Sequence, residues 1–147
     1  MGGDSRYETD FYGWAEEQAD LLRRGRLSEA DIGHIAEEIA SMGRAERREL
    51  VNRLAVLLLH LLKWAHQPER RGKSWRLTVA EQRRQIARHL RDNPSLMPEI
   101  DAAMADAYGD AILRAEAETD LPRDSFPWSC PWSFAETLDE AFWPERR

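Results

Sequence analysis

The chain has 147 residues, 42% hydrophobic and 33% charged, with a net charge of −6, which makes it too apolar to be disordered and long enough for one sizeable core. Its single cysteine, Cys130, excludes an internal disulfide. The opening Met1-Gly2-Gly3-Asp4-Ser5-Arg6 has no apolar export run and no Ser or Thr at the sixth position for myristoylation, so the expectation is a cytoplasmic protein.

A first helix is predicted from Thr9 or Asp10, either of which can cap, to Arg24, with Gly25 as a left-handed C-terminal residue. Its inward side is Phe11, Trp14, Ala15, Gln18, Leu21 and Leu22. Ser28 with Asp31 resembles a capping box for a second helix that buries Ile32, Ile35, Ala36, Ile39 and Met42. The polar run from Gly43 to Glu49 has two readings: a break at Gly43, which is favoured, or one long helix from residue 29 to 66.

Leu50 to Trp64 is the organising stretch. Leu50, Leu54, Leu57, Leu58, Leu61 and Leu62 mark a face that Val51, Ala55 and Leu59 widen to an arc of roughly 200°, so neighbours on at least two sides are expected. A membrane span needs about 20 consecutive apolar residues, and Asn52, Arg53, His60 and Lys63 interrupt this run.

After Pro68, a helix over 74–92 turns Trp75, Val79, Gln82, Ile86, His89 and Leu90 inward and carries Lys73, Arg84, Arg88 and Arg91 on its opposite face. A further helix starts after the Asn93-Pro94-Ser95 turn, tolerates Pro98 in its first turn and reaches Glu118. Leu96, Ile100, Ala103, Met104, Ala107 and Ala111 face its neighbours. From Thr119 the prolines of Phe126-Pro127-Trp128 and Cys130-Pro131-Trp132 disfavour helix until Ser133, where Glu136 completes a capping box. The predicted fold is all-α: a single-domain helical bundle over 9–118, sealed by a Pro/Trp-rich C-terminal tail over 119–147.

Chemistry is sparse in this pattern. Segment 63–91 holds nine basic residues against two acids in an otherwise acidic chain. His34 with Glu37 and Glu38, and His60 with Glu46 or Glu49, have ligand types, but the paired Glu-x-x-His motif of di-metal bundles is missing, so no metal ligand and no cofactor is assigned. Cys130 has no activating neighbour, and neither a nucleophile elbow nor a phosphate loop is present, so no catalytic residue is assigned. The sharpest candidate is a polar cluster of His60, Trp64, Gln67, Trp75, Gln82 and Arg83, read either as a structural network, the favoured reading, or as a small pocket for a ligand or partner side chain.

Ala36-Glu37-Glu38-Ile39, Met42-Gly43-Arg44, Arg48-Glu49-Leu50, the run Leu58 to Trp64, Gln67-Pro68-Glu69-Arg70, Ser74-Trp75, Glu81-Gln82-Arg83 and Asn93-Pro94-Ser95-Leu96 together resemble the bacterial family called domain of unknown function twenty-nine. The resemblance extends from Tyr7 to the Cys130-Pro131 tail, with Trp128 and Trp132 as a departure around the cysteine. It implies an all-helical bacterial protein and no activity. Two functions of different kinds follow from the residues. The favoured one is a small adaptor that binds another protein or a second copy of itself, on the strength of acidic helices and a tryptophan-rich tail. The alternative is a nucleic-acid binder using Lys73, Arg84, Arg88 and Arg91, weighed against an acidic pI near 5.3 and the expectation that these arginines pair with acidic helices. A metal-dependent bundle enzyme is a distant third, and no membrane partner is expected.

Overall fold

The computed structural model describes residues 2–145, with side chains from residue 6 onward. The described residues form helices α1 (Gly2–Thr9), α2 (Phe11–Arg23), α3 (Ile32–His66), α4 (Lys73–Asp92), α5 (Ile100–Glu118) and α6 (Phe134–Leu138), joined by short 3-10 turns and without a strand. The all-α class is therefore correct. The chain gathers into two compact units, Met1–Ala45 and Glu46–Arg147.

In the first unit, Asp10 caps α2 by accepting from the Gly13 amide at 3.1 Å. Gly25 closes the helix with φ 71°, a left-handed conformation that favours glycine. The start of α3 is held by Asp31, whose Oδ1 accepts from the His34 amide at 3.4 Å; the expected cap at Ser28 instead lies in a 3-10 turn. Trp14 is the anchor of this unit. Its indole donates to Asp31 Oδ2 at 3.0 Å and meets Tyr7 edge-on at 4.7 Å, while Tyr7 stacks on His34 at 3.9 Å. Tyr7 donates its hydroxyl to Glu38, which, with burial, pushes the phenol up to about 12.

Three further expectations about this unit fail. Helix α3 is continuous through Gly43, because well-packed turns on the C-terminal side offset the loss of about 1 kcal/mol that an interior glycine brings. The stripe expected to be buried is mostly uncovered: Ile35 is half-buried, but Ile32, Ile39 and Met42 are 53, 65 and 67% exposed, and Phe11 and Leu22 on α2 are exposed as well. Helix α1 lies where the sequence predicts none, because its polar residues carry no apolar period that would mark a helical face.

The second unit is built on the C-terminal part of α3. Leu50, Leu54, Leu57, Leu58, Leu61 and Leu62 are fully buried, and Val51, Ala55, Leu59 and Ala65 nearly so. Each such leucine contributes about 1.5–3 kcal/mol relative to exposure. Val79, Ile86 and Leu90 of α4 and Ile100, Ala103, Ala107, Ala111 and Ala115 of α5 complete the core. Alanines at these positions let α5 approach closely. Residues 94–99 take a 3-10 turn before α5, since Pro98 lacks the amide an α-helix would use. The tail adds Phe126, Trp132 and Thr137 to the core, and α6 begins with the predicted Ser133–Glu136 capping box.

Candidate functional site

The polar cluster expected around His60 is distributed among separate structural tasks. His60 Nδ1 lies 2.8 Å from the Val56 carbonyl of its own helix, and burial pulls its basicity down. Arg83, 4% exposed, turns to the tail: Nε donates to the Thr137 carbonyl at 2.8 Å, Nη2 to Phe142 at 2.7 Å and Nη1 to Glu140 at 3.5 Å. Its guanidinium lies 5.3 Å from the Trp143 ring centroid, and Trp143 meets Trp64 at 4.4 Å. Trp64 is covered in turn by Arg71 at 5.2 Å. Arg83 and Trp64 are thus brought together through Trp143, a tail residue that no helical period could have flagged.

The remaining members go elsewhere. Trp75 lies under the Lys63 ammonium at 5.9 Å, and Lys63 pairs with Glu118 at 2.7 Å while its stem is buried. Gln82 accepts from Arg53 at 3.5 Å, and Gln67 is half-buried where α3 ends, with its main-chain amide on the Lys63 carbonyl at 2.8 Å. The metal groupings considered from sequence are also not assembled. His34 Nδ1 lies 2.8 Å from Asp31, Glu37 pairs with Arg44, and Glu46 and Glu49 face His89, not His60.

On α4, Lys73, Arg84, Arg88 and Arg91 are exposed and, among the described residues, form no ion pair. The expectation that these arginines pair with acidic helices does not hold for them. Arg84, Arg88 and Arg91 border an open groove of about 810 Å³ that Phe134 and Leu138 of α6 share.

A second concavity, of about 620 Å³, lies between α5 and the tail. Asp101, Ala105, Gly109 and Leu113 recur every four residues along one side of α5, and the small Ala105 and Gly109 leave a trough there. Trp128, Cys130, Trp132 and Phe134 form the other wall. The tail packs Phe126 and Trp132 onto the bundle, but it leaves Trp128 74% exposed, beside Leu113 of α5 at 69%. Trp128 is nevertheless held, because the Arg123 guanidinium sits 4.0 Å from its ring centroid and Arg123 Nη1 donates to the Phe126 carbonyl at 3.0 Å. Tyr108 braces the same wall with its hydroxyl on the Pro127 carbonyl at 2.6 Å, and burial pushes that phenol up to about 12. Cys130 donates to the Trp132 carbonyl at 3.4 Å, and burial raises its thiol, which is the opposite of an activated nucleophile. The sequence alone does not mark this trough, because its signal, small residues every four positions, is also that of close helix packing.

Among the described residues, no helix is long and apolar enough to cross a membrane. The family model described as Domain of unknown function DUF29 matches residues 6–143. No curated protein and no solved structure matches the chain.

Proposed function

The chain belongs to the DUF29 family, and from its geometry we propose that it is a protein-binding module whose docking site is the trough between α5 and the tail. The observation that carries this reading is Trp128, held against Arg123 yet 74% exposed beside an apolar concavity. A tryptophan fixed before binding gives up little conformational freedom when a partner covers it, and tryptophan is enriched among the residues that dominate interface energies. The fitting occupant is a partner segment presenting one large aliphatic or aromatic side chain to Trp128 and Leu113, with polar groups toward Asp101 and Arg123. A cytoplasmic setting accords with a lone cysteine.

Capture from a native extract with wild-type protein, Trp128→Ala and Leu113→Glu tests the reading. Both substitutions are on the surface and should leave Tm unchanged. The expected result is a partner retained by wild type and lost by both variants, with the tryptophan emission of wild type, but not of Trp128→Ala, shifting to the blue when that partner is added. Identical partner sets for all three proteins would refute the proposal.

A second reading is favoured by the unpaired arginines of α4: binding of nucleic acid along Lys73, Arg84, Arg88 and Arg91. If it holds, affinity falls steeply between low and moderate salt, because each neutralised phosphate releases counterions, and Arg84→Glu with Arg88→Glu abolishes it. No shift of DNA or RNA even at low salt would eliminate it.

A further inference from the structure

We propose that Glu46, Glu49 and His89 form a site for one divalent transition-metal ion of the zinc class, between α3 and α4. Glu46 and Glu49 are three residues apart and share a face of α3. His89 comes from α4, is 8% exposed, and offers a ligand atom within 4.8 Å of one from each carboxylate. Its Nε2 donates to the Glu46 main-chain carbonyl at 2.8 Å, since a carbonyl can only accept. That bond sets the tautomer in which Nδ1 is left with a lone pair, aimed toward Glu49 Oε2 at 3.7 Å.

The separations distinguish an ion pair from a metal bridge. A charge-assisted bond from a protonated imidazole to a carboxylate closes to about 2.7–2.9 Å. The imidazole nitrogens here stand 3.6 Å from Glu46 Oε2 and 3.7 Å from Glu49 Oε2, too far for such a bond. The spacing of Nδ1 from Glu49 Oε2 suits two ligands on one ion with bonds of about 2.0–2.2 Å each. The outer partners are also in place. Arg53 takes Glu49 Oε1, through Nε at 3.1 Å and Nη2 at 3.0 Å, and leaves Oε2 turned toward His89. The imidazole is fixed by the Glu46 carbonyl, as ligating histidines commonly are by their second nitrogen. Among the described residues Glu46 makes no other ion pair, and it is about half exposed, so its carboxylate can swing onto the ion.

One imidazole with two carboxylates suits first-row ions such as Zn²⁺ better than the all-oxygen shells of Ca²⁺ and Mg²⁺. The site opens into a polar concavity of about 380 Å³ that Gln85, Asp92 and Asn93 also line, with room for water to complete the coordination.

Chelator-treated full-length protein is titrated with Zn²⁺ by calorimetry and with Co²⁺ by visible absorption. One equivalent is expected to bind, with affinity unchanged in His60→Gln and falling in Glu46→Gln, Glu49→Gln and His89→Gln by no less than the roughly 10–100-fold that loss of an outer partner alone brings. His89 is buried and its replacement can unfold the protein, so the deciding variants are Glu46→Gln and Glu49→Gln, both at half-exposed carboxylates. No saturable binding by the wild type, or binding by both glutamate variants equal to that of wild type, would overturn the site.

Discussion

Helix α3 is one helix with two apolar faces, and the two met different fates. From Leu50 to Ala65 its leucines are covered on several sides, down to 0% exposure at Leu54, Leu58 and Leu61. From Ile32 to Met42 a stripe of comparable spacing stands more than half exposed at Ile32, Ile39 and Met42. Periodicity states that a helix has a face; it does not state that a neighbour covers it. The width of the apolar arc was the better guide, since only the second stretch was too wide for a single neighbour.

The largest effects should separate these stretches. Leu58→Ala or Leu61→Ala is expected to cost about 2–5 kcal/mol in urea unfolding, whereas Ile39→Ala should stay within about 0.5 kcal/mol, as exposed substitutions do. Equal losses at Leu58 and Ile39 would show that the stripe of the first unit is covered after all.

Arg83→Met comes next. It removes the donor shared by the carbonyls of Thr137, Glu140 and Phe142, and the loss is on the order of 1–3 kcal/mol, accompanied by faster proteolysis of the tail. A variant as stable as wild type, with an equally protected tail, would show that the tail is held by its aromatics alone.

Gly43→Ala sharpens the comparison from the other direction. A Cβ at Gly43 meets nothing within 4 Å, so alanine should stabilise the continuous helix by about 0.5–1 kcal/mol. A destabilised Gly43→Ala would argue that the helix bends or breaks there in solution.

The smallest effect is in pH dependence, where the units differ in window. Burial lowers the pKa of His60 below its ordinary 6.5, so the unfolded chain binds the proton more readily. The stability this gives the second unit is complete above about pH 6.5 and declines as pH falls from there through the lower folded-state pKa. His60→Gln should flatten the decline. In the first unit the hydrogen bond with His34, followed by that from Trp14, holds Asp31 below its ordinary 3.8. Its stabilisation is present above that value and is lost only as pH falls through the lower folded-state pKa. A single shared transition with no change near pH 6.5 in wild type would break the distinction.

The elements that local chemistry sets were legible in the residues themselves. Asp10 as cap, Gly25 in the left-handed region, the Ser133–Glu136 box and the apolar leucine face of α3 each depend on residues within a few positions, and each is present. The all-helical class follows from them. What tertiary structure alone decided is how distant side chains pair. Arg83 belonged to the expected polar cluster, but its acceptors are 54 to 59 residues away in a segment without period. Glu46 and Glu49 were recognised as ligand types, but the histidine that reaches them is His89, 43 residues beyond Glu46, because the turn between α3 and α4 sets which residues of the two helices face each other. Spacing along one helix orders a face, whereas the meeting of two faces depends on turn geometry and on close packing across them, and neither is written in any short stretch of chain.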